Sequence, residues 1–351
     1  WGGPWLVRSR RLAAADDDGC PRERSEVFDA VLVCNGHFAE PRLPEVEGLA
    51  QHFQGAVHHS ADYERVKPLL RRRRGVLVVG TKSSGTDIAR ELLEAFEEVP
   101  AGEEETGEAE GMVYVSDRNL PPQDPASPGV PAPRARLALL PALARALPGG
   151  DLQFRGGAVL PRGAVQHVVF CTGFRYALRF LRAAEEVRLE DGRRVRGLLR
   201  QLLSARAPSL ALLGLPFSVV PLPLCALQAR YLARLFRGGA APLPALAERL
   251  RQSEEEERAR PPGDNYFHYL GGEQQFYYMR ALLRDAAAAG ARETEKQQQE
   301  EEAWLVALQR VYEDNQRCRP AFPGAPDDYR RRRYRVDWQS GAFEALAAEQ
   351  C

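Results

Sequence analysis

The stretch Gly75-Val-Leu-Val-Val-Gly-Thr-Lys-Ser-Ser-Gly-Thr-Asp-Ile-Ala-Arg90 restricts the possible folds of this chain more than any other. Val76 to Val79 is a short, β-branched apolar run, suited to a parallel strand buried on both faces. Gly80 and Gly85 bracket a turn, and Ile88, Leu92, Leu93 and Phe96 then recur at helical spacing. Strand, glycine turn and helix make the first half of a dinucleotide-binding βαβ unit, whose helix N-terminus offers free N–H groups and a positive dipole end to a pyrophosphate.

The glycine pattern departs from G-x-G-x-x-G. It reads Gly80-Thr-Lys-Ser-Ser-Gly85, with Lys82 at the middle glycine, so Lys82, Ser83 and Ser84 are expected to supply phosphate contacts in place of close backbone approach. The next strand, Met112 to Val115, leads into Ser116-Asp-Arg118. Arg118 suits the 2′-phosphate of NADP, while the neighbouring carboxylate suits the free ribose of NAD; the arginine favours NADP.

The chain has 351 residues, 44% of them hydrophobic, enough for two cored domains. Its 48 Lys and Arg balance 48 Asp and Glu, which gives no general reason to expect nucleic acid or an anionic membrane as partner. The basic runs Arg71–Arg74 and Arg330–Arg333 read as solvated loops. Six cysteines are scattered without C-x-x-C spacing, and no His/Cys cluster has zinc-site spacing. Cys34 and Cys171 sit in apolar runs and read as buried thiols, consistent with a reducing, cytoplasmic compartment. The opening Trp1-Gly-Gly-Pro-Trp-Leu-Val7 lacks a basic n-region and does not read as a signal peptide. The uncharged stretch from Ala207 to Ala229 is broken by Pro216, Pro221 and Pro223, and reads as a core strand and loop rather than a membrane span.

Along the chain, Val7 to Arg11 is predicted to pair with Val27-Phe28 across the acidic turn Asp16–Gly19. Residues 29–34 read as a buried strand. Glu103–Gly111 and the proline-rich Pro121–Pro133 read as irregular, and Leu137 to Leu147 as a short helix. Leu152–Leu160 reads as a hairpin, Val165–Cys171 and Ser209–Leu213 as buried strands, and Leu222–Phe236 as a helix. A further amphipathic helix carries Trp304, Leu308 and Tyr312 behind the solvated run Glu293–Glu302.

Phe53-Gln-Gly55-Ala-Val-His-His59-Ser-Ala-Asp-Tyr63 matches F-x-G-x-x-x-H-x-x-x-[YF], and in this sequence it resembles the identifying motif of the flavin-containing monooxygenases. Gly80–Asp87 is similar to the G-x-x-x-S-G-x-D nucleotide turn of the plant S-oxygenating branch, Val168–Phe174 to the family's F-x-T-G-[YF] element, and Leu213–Tyr231 to its C-terminal flavin-domain strand and helix. The likeness spans most of residues 26–340. It implies an α/β fold of two Rossmann-like dinucleotide-binding domains. Residues 1–40 would be a remnant of the FAD-binding domain, 41–150 the NADP-binding domain, and 151–351 the return to the FAD domain with a helical tail.

The resemblance also implies FAD and NADPH as cofactors, and transfer of one oxygen from dioxygen to a soft nucleophile, a small-molecule sulfide or amine. Gly80, Lys82, Ser83, Ser84, Gly85 and Arg118 would hold NADP. His59 would act at the cofactor and domain boundary, and Thr172 and Gly173 would face flavin. The family's earlier glycine turn, which holds the FAD pyrophosphate, has no counterpart in residues 1–35, so a non-catalytic NADP-binding or interaction module is the alternative. A flavin disulfide reductase would need the C-x-x-C or C-x-x-x-x-C pair that this chain lacks.

Overall fold

The computed structural model describes residues 2–10, 23–70, 75–97, 111–120, 136–181, 186–260, 267–287, 295–319, 328–338 and 340–346. The expectations for the acidic turn Asp16–Gly19, Arg71–Arg74, residues 103–110 and Pro121–Pro133 fall outside them. The chain divides into two compact units: Trp1–Ala39 with Arg175–Glu313 and Tyr334–Leu346, and Glu40–Phe174 with Asp314–Arg333 and Ala347–Cys351.

The second unit is built on a five-stranded, all-parallel sheet. Its strands are β1 (Ala56–His59), β2 (Val76–Val79), β3 (Val113–Ser116), β4 (Leu137–Leu140) and β5 (His167–Phe170), in the spatial order β1-β5-β2-β3-β4. From β2 the chain steps outward through β3 and β4, then returns to insert β5 on the other side of β2. The strand order therefore reverses between β2 and β5, and a ligand crevice opens outside the carboxyl ends of these two strands.

Val76, Leu77 and Val78 are fully buried, and so are Val113, Val115, Val168 and Val169; each contributes about 1.5–3 kcal/mol relative to exposure. Helix α1 (Tyr63–Leu70) and helix α2 (Ser83–Glu97) bury Val66, Leu70, Ile88, Leu92, Leu93 and Phe96 in one shared cluster with the sheet. The 3.6-residue spacing read from the sequence is the buried face of α2.

Leu137 to Leu147 is not a helix. It forms β4 and a second strand, Leu143–Ala146, which joins Leu152–Phe154 and Val159–Leu160 in a three-stranded antiparallel sheet. Pro141 has no N–H to give a helix, and its carbonyl accepts from buried Ser116 Oγ (2.6 Å). Leucine's helix propensity yields to the open edge of β3, which needs a partner strand. The change of unit also falls later than position 150: residues 151–174 stay with the parallel sheet because β5 lies inside it.

The first unit holds a four-stranded sheet in the order Leu198–Leu199, Leu203–Ser204, Leu210–Leu212, Val31–Val33, the last two strands parallel. The helix Pro221–Phe236 starts at its two prolines, where their missing N–H groups cost nothing. It packs with the helix Gln274–Ala287 through Leu224, Tyr231, Leu232, Phe276, Met279 and Leu282. Trp5–Arg10 pairs antiparallel with Glu23–Phe28, but Val27 and Phe28 face Leu6 and Trp5 rather than the stretch from Val7 onward. Val31–Val33 is only half buried. It ends the sheet, Leu32 is 48% exposed, and Cys34 is exposed rather than buried.

Arg330 and Arg331 lie in the short helix Asp328–Arg331 and Arg333 in a strand, so that run is not a loop. No helix among the described residues is long and apolar enough to cross a membrane. The α/β class and the pair of Rossmann-like units agree with the sequence expectation.

Candidate functional site: the glycine turn at the sheet's switch point

Gly80 leaves β2 with φ +110°, a conformation other residues enter only with strain, and a Cβ there would stand 2.7 Å from Cys171 O on the neighbouring strand end. Gly85, inside the first turn of α2, comes closer still: a Cβ would fall 1.8 Å from Gly80 O. The two glycines let the helix start directly over the strand end. Thr86 N–H closes the first helical turn on Lys82 O (3.0 Å). The N–H groups of Ser83, Ser84 and Gly85 therefore have no helical partner four residues back and open outward with the dipole's positive end. Lys82, Ser83 and Ser84 are exposed around them. These residues fit a dinucleotide pyrophosphate.

Sequence reasoning treated Asp117 only as a possible ribose ligand. Its Oδ2 accepts from both the N–H (3.0 Å) and the hydroxyl (2.9 Å) of Thr81, and its Oδ1 from Asn119 N–H (2.9 Å). The carboxylate pins the glycine turn to the end of β3, leaving Arg118 as the exposed charged side chain at that strand end. The signal was present as a threonine after the first glycine, but its partner lies 36 residues away. Asp117→Ala is expected to cost about 1–3 kcal/mol, because it strands the two donors of Thr81; the urea midpoint of the chain measures it.

The F-x-G-x-x-x-H motif has a physical reading within this unit. Phe53 packs into the cluster of Leu77, Phe154 and Phe170. Gly55 passes so close to the chain entering β5 that a Cβ would meet Gln166 O at 2.3 Å. His59 ends β1, 3% exposed. Its Nδ1 accepts from Ala61 N–H (3.1 Å) and its Nε2–H donates to Gly173 O (3.0 Å), which also accepts from Arg42 N–H (3.0 Å). Thr172 Oγ1 donates to Arg42 O. His59 therefore holds the strand end that carries Thr172 and Gly173, and Gly173, at φ +83°, has open space at its Cα. Burial lowers the imidazole's pKa below 6.5, and with both nitrogens committed to the backbone His59 is not placed as a proton carrier.

Gly80, Lys82, Ser83, Ser84, Gly85, Arg118, Thr172, Gly173 and His59 thus lie at one end of one sheet. Cys171 lines the same end, but burial pushes its thiol up to about 12, so it is not a thiolate nucleophile. His58, beside His59, meets His167 across the strands (Nε2 to Nδ1, 3.2 Å).

In the first unit, the carboxyl end of the parallel strand pair brings His37 and Gly214 together: His37 Nδ1–H donates to Gly214 O (2.8 Å). Its Nε2 is buried without a hydrogen-bond partner among the described residues. Gly214 N–H donates to Gln228 Oε1 (2.9 Å), Gln228 Nε2 to Tyr278 OH (2.7 Å), and Tyr278 OH to Arg200 O (2.8 Å), so a buried polar chain sets this loop. Among the described residues of this unit, no helix follows Val31–Val33 directly and there is no second glycine cradle for a pyrophosphate.

A parallel sheet with a glycine turn at its switch point defines a dinucleotide-binding fold. The family model described as flavin-binding monooxygenase-like matches residues 14–107, and the chain is similar to flavin-containing monooxygenases. It is 30% identical over 249 residues to flavin-containing monooxygenase FMO GS-OX-like 7 of Arabidopsis thaliana, covering 70% of this chain and 46% of that protein. FMO GS-OX-like 2 of the same plant is 30% identical over 253 residues, covering 72% and 47%. The chain thus spans just under half the length of these relatives. Among solved structures it is similar to S-allyl-L-cysteine S-oxygenase from Allium sativum, with TM-score 0.68 and 26% identity over 93% of this chain and 66% of that one. Tmm from Pelagibacter sp. strain HTCC7211, at 17% identity and TM-score 0.63, shares the fold.

Proposed function

We propose that the unit of the five-stranded sheet binds NADP, and that the first unit belongs to an FAD-binding domain of an NADPH-dependent flavin monooxygenase acting on a small sulfide or amine. The contact of Gly85 with Gly80 O at the switch point carries this reading, because it opens the helix N-terminus to a pyrophosphate. The similarity to S-allyl-L-cysteine S-oxygenase favours sulfide over amine.

When bound, the two cofactors supply hydride and activate dioxygen, one oxygen of which goes to the soft nucleophile. The chain's own residues bind and orient. The N–H groups of Ser83, Ser84 and Gly85 and the Lys82 ammonium hold the pyrophosphate, and Arg118 holds the 2′-phosphate. His59 braces Thr172 and Gly173, the residues expected toward the flavin. None of them moves a proton on the substrate.

A second reading, an NADP-binding module without oxygenase activity, is favoured by one observation: the described residues of the first unit contain no pyrophosphate cradle. Equilibrium dialysis with NADPH, visible flavin absorption and NADPH oxidation with a thioether separate the two. Flavin and turnover support the enzyme; NADPH binding without flavin supports the module; no binding of either nucleotide refutes both.

Arg118→Ala is expected to weaken NADPH binding roughly tenfold or more, the loss of one charge-assisted contact, and to leave NADH binding unchanged. Equal loss for the two nucleotides would remove Arg118 from the 2′-phosphate site.

A further inference from the structure

The carboxylate of Asp87 lies in the first turns of α2, four residues past Ser83, or about 6 Å of helix rise. A negative charge there is held by the same dipole end that would hold a pyrophosphate, and it opposes the phosphates directly. The structure answers this charge with a residue 243 positions away: Arg330 Nη2 forms an ion pair with Asp87 Oδ1.

Arg330 is held for this contact. Its Nε donates to Tyr329 OH (2.8 Å), and its guanidinium lies over the Tyr329 ring at 5.5 Å. The helix that carries it, Asp328–Arg331, is itself tied down. Asn315 Nδ2 donates to Tyr329 O (2.8 Å), and Asp314 Oδ2 pairs with Arg332 Nη2 (3.1 Å), both from the end of the helix Glu295–Arg317. All of these residues belong to the unit of the parallel sheet. The other carboxylate at the turn, Asp117, is already met by the two donors of Thr81 and by Asn119 N–H.

We propose that Arg330 is a positioning residue of the dinucleotide site: it neutralises Asp87 and holds that carboxylate, so that the start of α2 presents net positive potential to the pyrophosphate. This inference rests on the reading of the glycine turn as the NADP site. The basic segment of the C-terminal part of the chain is then part of the nucleotide site, although Arg330 need not touch the nucleotide.

NADPH binding to the full chain, measured by equilibrium dialysis at low salt, tests it with Arg330→Ala, Asp87→Asn and the double variant. Arg330→Ala is expected to weaken NADPH about tenfold, the size of one uncompensated charge near the phosphates. Asp87→Asn is expected to bind as well as wild type or better, and the double variant to return to within about threefold of wild type. The deficit of Arg330→Ala is also expected to shrink as salt is raised.

A merely structural strap would not be rescued by removing the opposing charge, so a double variant as weak as Arg330→Ala overturns the proposal. Wild-type affinity in Arg330→Ala overturns it equally. If the alanine variant fails to fold, Arg330→Gln, which keeps much of the side chain's reach, carries the same expectations. A wild-type chain that binds no NADPH refutes the site reading and this inference with it; wild-type binding with no change in the Arg330 variants refutes this inference alone.

Discussion

Gly85→Ala is expected to abolish NADPH binding and to cost roughly 3 kcal/mol or more of stability, an overpacking that no side-chain rotation can relieve. The added methyl would fall 1.8 Å from Gly80 O and 3.3 Å from Cys171 Cβ. Both α2 and the end of β2 would have to separate, and the end of β5 stands behind them. Because the helix N–H groups must converge on one pyrophosphate, a shift of about 1 Å suffices to lose on the order of a hundredfold in a positioned interaction. Ser84→Ala, one residue earlier and exposed, is the control, with stability within about 0.5 kcal/mol of wild type. Urea unfolding and equilibrium dialysis with NADPH give both readouts; a Gly85→Ala chain that binds normally would dismiss the glycine turn as the site.

Acidification is the second large effect. His59 and His268 are each held neutral by a backbone donor: Ala61 N–H on His59 Nδ1 (3.1 Å), and Val195 N–H on His268 Nε2 (3.0 Å). The remaining nitrogens face acceptors, Gly173 O (3.0 Å) and Gln201 Oε1 (2.9 Å). Protonation would set a new N–H against an existing one in a buried place. Burial lowers the pKa of both below 6.5, that of His268 well below, and it lowers His37 and His58 in the same direction.

The unfolded chain therefore binds more protons than the folded one in the window beneath pH 6.5. These histidines contribute their full stability above that value and lose it as pH falls toward each folded pKa, by up to about 1.4 kcal/mol per pH unit for each group. The melting temperature is expected to be level from pH 8 to 7 and to fall from pH 6.5 to 5.5, with a shallower fall in His268→Gln. A flat profile across that window would show that these imidazoles are not held neutral.

The glycine turn was legible because its signal is local. A β-branched run, a glycine, and a 3.6-residue apolar repeat, all between Val76 and Phe96, are enough to specify strand, turn and helix. The F-x-G-x-x-x-H motif was legible for the same reason, as a pattern, but its physics was not: Gly55 is required by Gln166 O, and His59 by Gly173 O, both more than 100 residues on. Leu137–Leu147 was misread because its leucines satisfy a helical repeat, while the open edge of β3 decided for a strand. Cys34 was misread as buried because an apolar run does not say whether its strand ends the sheet.

By itself, then, the amino-acid sequence determined that a strand, glycine turn and helix exist here and where they start, since neighbours in the chain supply every part of them. Only the tertiary structure decided the strand order that places β5 beside β2 and so makes the turn a crevice. It alone gave Asp117 to Thr81, and brought Arg330 to Asp87. The physical reason is the same in each case: a hydrogen bond or an ion pair acts over a few ångströms of space, and the separation of its partners along the chain leaves no periodicity to read.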